Sequence, residues 1–391
     1  MDSTALYNLS PALRLMGMGL AVALGPLAWL WLRHRGASPA RQLGALTLLT
    51  LFLTFDLVMF GAFTRLTDSG LGCPDWPGCY GHSSPVGAHA QISAAQDAMP
   101  TGPVTHGKAW VEMVHRYLAT GVGVLIIVLL AATWWQWRRG RGSANGAGAV
   151  VGPGWPLVTL VWVCAQGVFG ALTVTMKLFP AIVTLHLLGG VGLLVLLVVQ
   201  TEHYRQAAGV SRVETLGRGL RALLWAAAVL VGVQIALGGW VSTNYAVLAC
   251  NTFPQCQGGW WPAMDFAQGF ELWRPLGHQG DGALLDFSAL TAIHYTHRLF
   301  AYGVFIVLAA LIVALARQQR LPAQRRALAA LTALQLLTGL SNVILDWPLA
   351  AAVIHTGGAA AMMTVLAWAL CASRAEAVEP AGNARPAGVT P

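Results

Sequence analysis

Nine long apolar runs constrain this chain more than any other feature of its sequence. Each is about 20 residues long, which is the length that an α-helix needs to cross the hydrocarbon core of a bilayer. Because backbone polar groups must be satisfied within the segment itself in lipid, we expect every run to be a helix. The runs cover residues 11–32, 43–64, 109–135, 154–175, 181–200, 222–243, 291–316, 327–345 and 350–371. The sequence therefore predicts an all-α polytopic membrane protein.

The composition and charge agree with a chain that lies mostly among membrane lipids. Hydrophobic residues make up 56% of the 391 residues and charged residues only 10%, whereas about 25% of the residues in a soluble globular chain are charged. The net charge is +8, but the basic residues form short clusters between apolar runs, without a motif for DNA or RNA recognition. We interpret the clusters as a topology signal and expect no nucleic-acid partner.

Loops rich in arginine alternate with loops that contain few basic residues. The arginine-rich loops follow spans one, three, five and seven. Their arginines are, in that order, Arg33, Arg35 and Arg41; Arg138, Arg139 and Arg141; Arg205, Arg212, Arg218 and Arg221; and Arg317, Arg320, Arg325 and Arg326. By the positive-inside rule these loops are cytoplasmic. We therefore expect a multi-pass protein of the bacterial inner membrane, with a periplasmic N-terminus and a cytoplasmic C-terminus.

A sequence repeat divides the chain into two similar parts. The stretch GAFTRLTDSGLGCPDWPGC begins at Gly61 and the stretch GGWVSTNYAVLACNTFPQC begins at Gly238, with both cysteines at the same places in each. Spans two to five and six to nine then form two parallel, pseudo-symmetric four-helix bundles, with span one as an extra N-terminal helix. The predicted segments are 1–41 (extra helix and cytoplasmic loop), 42–204 (N-terminal repeat), 205–221 (cytoplasmic linker), 222–372 (C-terminal repeat) and 373–391 (disordered cytoplasmic tail).

Four cysteines lie in the two loops that we predict to be external: Cys73, Cys79, Cys250 and Cys256. An oxidising compartment favours disulfides there, and each bond would close a small ring worth about 2 kcal/mol of chain entropy. The pairs are either structural disulfides or redox-active pairs at the entrance to a site. Cys164 and Cys371 lie in apolar spans, and we interpret them as packing residues.

Four histidines recur at corresponding positions within the predicted spans. His115 and His297 begin HRYLATGVGV and HRLFAYGVFI, while His186 and His355 are each followed within four residues by a glycine pair. Each lies within about seven residues of the outer end of its span, so all four share one depth. Facing imidazoles at one level of a helix bundle are what axial ligation of a haem iron requires. The pattern predicts one haem site in each repeat, with the glycines leaving room for the macrocycle.

Other interpretations of these polar residues stay open. The histidines could be structural, although four in matched places argue against it, and zinc is disfavoured because no third ligand stands at metal spacing. Arg116 and Arg298 each follow a histidine and could extend toward water or pair with a haem propionate. Three glutamines each precede a glycine by four residues and are interpreted as helix-packing positions, with hydrogen bonding to a ligand as the alternative: Gln166, Gln234 and Gln335.

The two repeats differ three residues before the first histidine of each pair. Glu112 stands before His115, whereas His294 stands before His297. Residues three apart share a helix face, so both side chains are expected to point toward their sites. A carboxylate in the membrane is costly unless it is protonated, paired or used. We interpret the difference as functional, and His294 is an alternative ligand although the HR match favours His297.

Taken together, these motifs resemble the haem A synthase family. They are GAFTRLTDSGLGCPDWPGC, EMVHR, the later HR and the two histidines that precede glycines, and the resemblance covers residues 42–372. The family pattern has eight helices, so the leading span is an addition. The resemblance implies oxidation of the C8 methyl group of haem O to a formyl group, by successive hydroxylation and loss of water from the geminal diol. The product is haem A for cytochrome oxidase.

The resemblance also implies roles for the site residues. His297 and His355 would ligate haem b as the redox cofactor, and His115 and His186 would hold the substrate haem O. Glu112 would assist proton transfer or stabilise a cationic intermediate, and the cysteine pairs match positions of external disulfides in the family. Haem O synthase and cytochrome oxidase assembly factors are the implied partners, together with an unidentified electron donor.

Two other functions remain open from the sequence. A bis-histidine di-haem membrane cytochrome passing electrons from quinol would explain four ligands without chemistry on the haem, although Glu112 argues against it. A haem-handling chaperone or transporter would need exchangeable haem and no permanent low-spin cofactor. Pigment analysis of the purified protein distinguishes these functions.

Overall fold

The computed structural model describes residues 10–141 and 151–376, and these ranges are mostly helical. The helices are α1 (Ser10–His34), α2 (Pro39–Leu66), α3 (His89–Ala98), α4 (His106–Arg141), α5 (Gly154–Thr175), α6 (Pro180–Ala207), α7 (Arg218–Thr243), α8 (Phe266–Gly269), α9 (Phe287–Arg317), α10 (Pro322–Ile344) and α11 (Leu349–Cys371), with short strands β1 (Glu214–Leu216) and β2 (Ser373–Ala375). Within the described ranges nine helices are long and apolar enough to cross a membrane, namely all except α3 and α8. The nine predicted spans and the polytopic helical fold are therefore confirmed.

Each predicted four-helix unit is recognisable from the way its helices pack. In the N-terminal unit, α2 and α5 each pack against both α4 and α6; in the C-terminal unit, α7 and α10 each pack against both α9 and α11. The helices that carry the histidines, α4 with α6 and α9 with α11, therefore lie diagonally across their units. The extra helix α1 packs mainly on α4. This arrangement is consistent with the predicted pair of bundles.

The two units join through α2, α6, α7 and α11, and some residues touch their own counterparts across the joint. Arg65 donates to the backbone oxygen of Ser242 at 2.5 Å, and the Tyr245 hydroxyl donates to Asp68 at 2.6 Å, each pair being 177 residues apart in sequence. Equivalent positions can touch only close to the axis that relates the repeats. These contacts support a two-fold axis between the units.

Tight turns set the depth of two of the histidines. Lys177 and Leu178 before α6 have φ of 51° and 58°, and Asp346 and Trp347 before α11 have φ of 50° and 62°. Two successive left-handed residues reverse the chain within a short turn. In each of these two helices the histidine stands six residues after the first helical residue. The matched turns therefore place His186 and His355 at the same level.

A two-stranded sheet joins the linker to the end of the chain and corrects one prediction. Glu214–Leu216 pairs in parallel with Ser373–Ala375, and Arg221 also donates to the Ser373 hydroxyl at 2.9 Å. The segment predicted as a disordered tail from residue 373 thus begins with a strand, because the linker offers unpaired backbone groups that bond to it. The remainder of the predicted tail, 377–391, lies outside the described residues.

Candidate functional site

Both predicted cysteine pairs are disulfides. Cys73 bonds to Cys79 and Cys250 to Cys256, with Cα–Cα distances of 4.9 and 4.7 Å. Each bond closes a loop directly after the first helix of its repeat, above the end of the bundle where the histidines lie. Of the two remaining cysteines, Cys164 is exposed on α5 rather than packed, because that helix turns this face away from the rest of the protein.

The two arginines that follow the first histidines hold these disulfide loops. Each guanidinium donates to three backbone oxygens at positions that match in the two repeats. Arg116 donates to Asp75 (3.0 Å), Pro77 (3.1 Å) and Gly78, and Arg298 donates to Thr252 (2.9 Å), Pro254 (3.4 Å) and Gln255 (3.4 Å). Both arginines are buried, so neither extends into water. Their shared role is to attach the loop to the helix that bears the ligand candidate.

The two arginines differ in the partner of the terminal guanidinium nitrogen that does not bond to the disulfide loop. Nη2 of Arg116 donates to the Glu112 carboxylate. Nη1 of Arg298 is buried and has no hydrogen-bond partner among the described residues. An unpaired buried cationic donor of this kind is costly and suits an anionic group. The C-terminal unit therefore has a free donor for an anion where the N-terminal unit has its own carboxylate.

Glu112 and His294 occupy equivalent places and both attach loop backbone to a helix. Glu112 is 4% exposed and accepts from the backbone N–H of Cys73 at 2.8 Å. His294 is 6% exposed, and its Nδ1 lies 2.9 Å from the backbone oxygen of Ala246. Both side chains therefore contact the loop above the site, and the carboxylate bonds directly to the backbone of a disulfide cysteine.

The four recurrent histidines lie in two matched pairs, one on the diagonal helices of each unit. His115 lies near enough to His186, and His297 to His355, for the imidazoles to interact electrostatically. All four are half-buried, in contrast to the buried His294. Because each pair spans the diagonal of its unit, each imidazole has a partner across the bundle rather than on an adjacent helix. The structure thus brings together the residues that the sequence predicted as two pairs.

Each histidine ring packs against a glycine of the preceding membrane-spanning helix. A Cβ atom on these glycines would come within 3.1 Å of the His115 ring, 3.4 Å of His186, 2.9 Å of His297 and 3.2 Å of His355, and the glycines are Gly61, Gly170, Gly238 and Gly339 respectively. Larger residues would crowd the imidazoles. The sequence contained this signal, since Gly61 and Gly238 begin the quoted repeat, but their role depends on a contact between helices.

The glycine pairs that follow His186 and His355 pack against side chains of neighbouring helices. Gly189 lies against the Gln166 side chain and Gly358 against Gln335, and Gly357 lies against Met59. The space beside these glycines is thus filled by side chains from neighbouring helices. Close helix packing uses the space beside these glycines, and the expectation that they leave room for a macrocycle stays a prediction.

Two of the glutamines bond to histidines instead of serving only as packing residues. The Gln234 amide nitrogen donates to the backbone oxygen of His297 at 3.1 Å and lies 3.1 Å from its Nδ1. The Gln335 amide donates to the backbone oxygen of His355 at 2.9 Å. Thr338, which sequence reasoning missed, lies 2.9 Å from Nδ1 of His355. In the sequence this contact was indicated by a hydroxyl-bearing residue directly before Gly339, the glycine that packs against the His355 ring.

The residues present fit a haem in each unit. Two imidazoles on diagonal helices of one unit are ligands that would suit a haem iron. Nη1 of Arg298, unpaired among the described residues, would suit a carboxylate of the same group. The chemistry that this arrangement suits is haem ligation, with an additional carboxylate, Glu112, in the N-terminal unit.

Comparison with known proteins identifies the family. The family model COX15-CtaA, described as cytochrome oxidase assembly protein, matches residues 44–367. The chain is 38% identical to the heme A synthase of Shewanella oneidensis, over 83% of this chain and 94% of that protein. It is 29% identical to the heme A synthase of Caulobacter vibrioides (81% and 92%) and 26% identical to that of Rhizorhabdus wittichii (86% and 96%). The chain belongs to the COX15-CtaA family of cytochrome oxidase assembly proteins.

Proposed function

We propose that this protein is a haem A synthase, an oxidoreductase that oxidises the C8 methyl group of haem O to a formyl group to make haem A for cytochrome oxidase. The observation that carries the proposal is the duplicated pair of histidines on the diagonal helices of each unit, in a chain whose relatives are named heme A synthase. Haem O is a substrate of this activity, and a second haem is its cofactor.

The two units take different parts in the proposed reaction. His297 and His355 would hold haem b in the C-terminal repeat, 222–372, and Nη1 of Arg298, which has no partner among the described residues, would be available to an anionic group of that haem. His115 and His186 hold haem O in the N-terminal repeat, 42–204. Bound haem supplies the redox chemistry, while the chain holds the two groups at one depth. Arg116 has no such role, because the disulfide loop and Glu112 occupy its donors.

Glu112 is the acid–base group of the N-terminal unit in this proposal. It lies one helical turn before His115, and the C-terminal unit has no carboxylate at the equivalent position. Its two oxygens bond to Arg116 and to the Cys73 N–H, which orients the carboxylate beneath the disulfide loop. From there it can take up or release a proton, or offset a developing positive charge on the substrate.

Extraction of the bound haems tests the function. We expect haem A to appear when the protein is produced together with an enzyme that makes haem O, and to be absent when His186 is replaced by Ala. The pigments are separated by chromatography and identified by mass. Stable binding of two unmodified haems would instead indicate a membrane cytochrome, and the absence of any permanently bound haem would indicate a carrier.

We further propose that the protein lies in the bacterial inner membrane with its disulfide loops in the periplasm. The clusters of arginine at the opposite ends of the helices support this orientation. A reporter active only outside the cytoplasm should work when fused near residue 85 or 265 and fail near residue 142 or 210. The reverse pattern would contradict the orientation and the oxidising surroundings of the cysteines.

A further inference from the structure

The second histidine of the C-terminal pair has a hydrogen-bond partner that controls its ring. Thr338 Oγ1 lies 2.9 Å from Nδ1 of His355, and the same hydroxyl donates to the backbone oxygen of Leu334 at 2.8 Å. Because its proton is already used, the hydroxyl accepts from an N–H at Nδ1. With the proton on Nδ1, the lone pair of Nε2 is free to bind a metal.

The first histidine of the same pair also has a polar partner. The side-chain amide of Gln234 lies at the edge of the His297 ring, 3.1 Å from Nδ1 and 3.4 Å from Nε2. Oε1 of this amide is buried without a hydrogen-bond partner among the described residues. The amide nitrogen also donates to the backbone oxygen of His297 at 3.1 Å, which fixes the amide against the edge of the ring. Each imidazole of the C-terminal pair therefore has a polar side chain in contact with a ring nitrogen.

The N-terminal pair lacks these partners at the matched positions. Counted back from the glycine that begins each quoted stretch, Leu57 corresponds to Gln234. Counted back from the second histidine of each pair, Phe169 corresponds to Thr338. Leu57 packs against aliphatic side chains of α4 and α6. In the described part of the chain, Nδ1 of His186 is buried without a hydrogen-bond partner, and the ring of His115 has no hydrogen bond either.

Gln166, the counterpart of Gln335, does not replace these contacts. Gln335 donates to the backbone oxygen of His355, whereas Gln166 packs on Gly189 and its Oε1 is buried with no partner in residues 10–141 and 151–376. Three side chains thus bond to the C-terminal pair, while their three counterparts leave the N-terminal pair without a hydrogen bond within those ranges.

This difference matters because the groups behind a ligand determine how firmly it holds a metal. A partner at the second ring nitrogen fixes the tautomer and the ring orientation, and its removal typically lowers metal affinity about 10–100-fold. A cofactor site has to retain its haem through many turnovers, whereas a substrate site has to release its product. The two histidine pairs therefore need opposite behaviour toward haem, retention in one unit and release in the other.

We propose that Gln234 and Thr338 are positioning residues that make the C-terminal pair a permanent haem site, and that Leu57 and Phe169 keep the N-terminal pair exchangeable. The inference rests on the proposed function, since that function assigns cofactor and substrate to the two units. It names the residues that suit one histidine pair to a cofactor and the equivalent pair to a substrate.

The rate of haem loss tests this proposal directly. Purified protein in detergent is loaded with haem b and mixed with excess apomyoglobin, and transfer is followed by absorbance. We expect a slow pool, absent in His355→Ala, and a fast pool, absent in His186→Ala. Thr338→Val and Gln234→Leu should each accelerate the slow pool about 10–100-fold. Thr338→Ser, which keeps the hydroxyl, should restore the slow rate, and Leu57→Gln should slow the fast pool.

The outcomes separate this inference from the function beneath it. A slow pool whose rate is unchanged in both Thr338→Val and Gln234→Leu would overturn the inference and leave the haem A synthase proposal intact. The absence of a slow pool in wild-type protein would overturn both the inference and the haem A synthase proposal. Electron paramagnetic resonance of the slow pool provides a second readout, because a freed imidazole changes the low-spin signal while a purely structural change alters protein yield instead.

Discussion

Replacing Glu112 by Gln is expected to lower haem A formation about 10²–10⁴-fold, the usual contribution of a general acid or base. The amide keeps the size of the side chain, but its single oxygen can accept from only one of the two donors, the Cys73 N–H or Arg116, and it cannot titrate or carry charge. Conversion of haem O is therefore expected to stall, with haem O or a hydroxylated intermediate accumulating. Extracted pigments from cells that make haem O measure the effect.

The ion pair between Glu112 and Arg116 makes a control necessary. Removing one member of a buried pair can destabilise a protein by several kcal/mol through the charge left behind. His294→Gln, at the equivalent position in the other repeat, perturbs loop attachment there without removing a carboxylate. Retention of the low-spin haem and of both disulfides in Glu112→Gln would show that the fold is intact. Near-normal haem A in this variant would return Glu112 to a role in attaching the loop.

Replacing His297 or His355 by Ala is expected to abolish the stable low-spin haem. Each substitution removes one of the two imidazoles, and Gln234, Gln335 and Thr338 beside the pair carry no imidazole to replace it. The optical spectrum of the purified variant measures the loss. Formation of haem A is expected to cease as well, because the redox cofactor is no longer held.

His294→Ala is the matched control for this prediction. His294 is buried and its Nδ1 contacts the Ala246 backbone oxygen, whereas His297 is half-buried and lies beside Gln234. We therefore expect the low-spin spectrum to survive in His294→Ala. A spectrum lost in His294→Ala and retained in His297→Ala would move the ligand by one helical turn.

Much of this architecture is determined by the sequence itself. The nine spans follow from runs of apolar residues, which need no knowledge of their neighbours because lipid imposes the same requirement on each helix. The constant spacing between the matched glycines and cysteines identifies the repeat, and the repeat in turn pairs the four histidines and the four cysteines. These features are local patterns, so they can be recognised before any helix is placed.

The partners of the polar side chains depended on the tertiary structure. The same motif, HR, follows Glu112 in one repeat and His294 in the other, yet both arginines bond to matched loop oxygens and only Arg298 retains an unpaired donor. Thr338 and Gln234 acquired their role only when α10 and α7 packed beside α11 and α9. Such contacts join residues that are distant in sequence, and the direction of a side chain between helices is decided by packing rather than by its own segment.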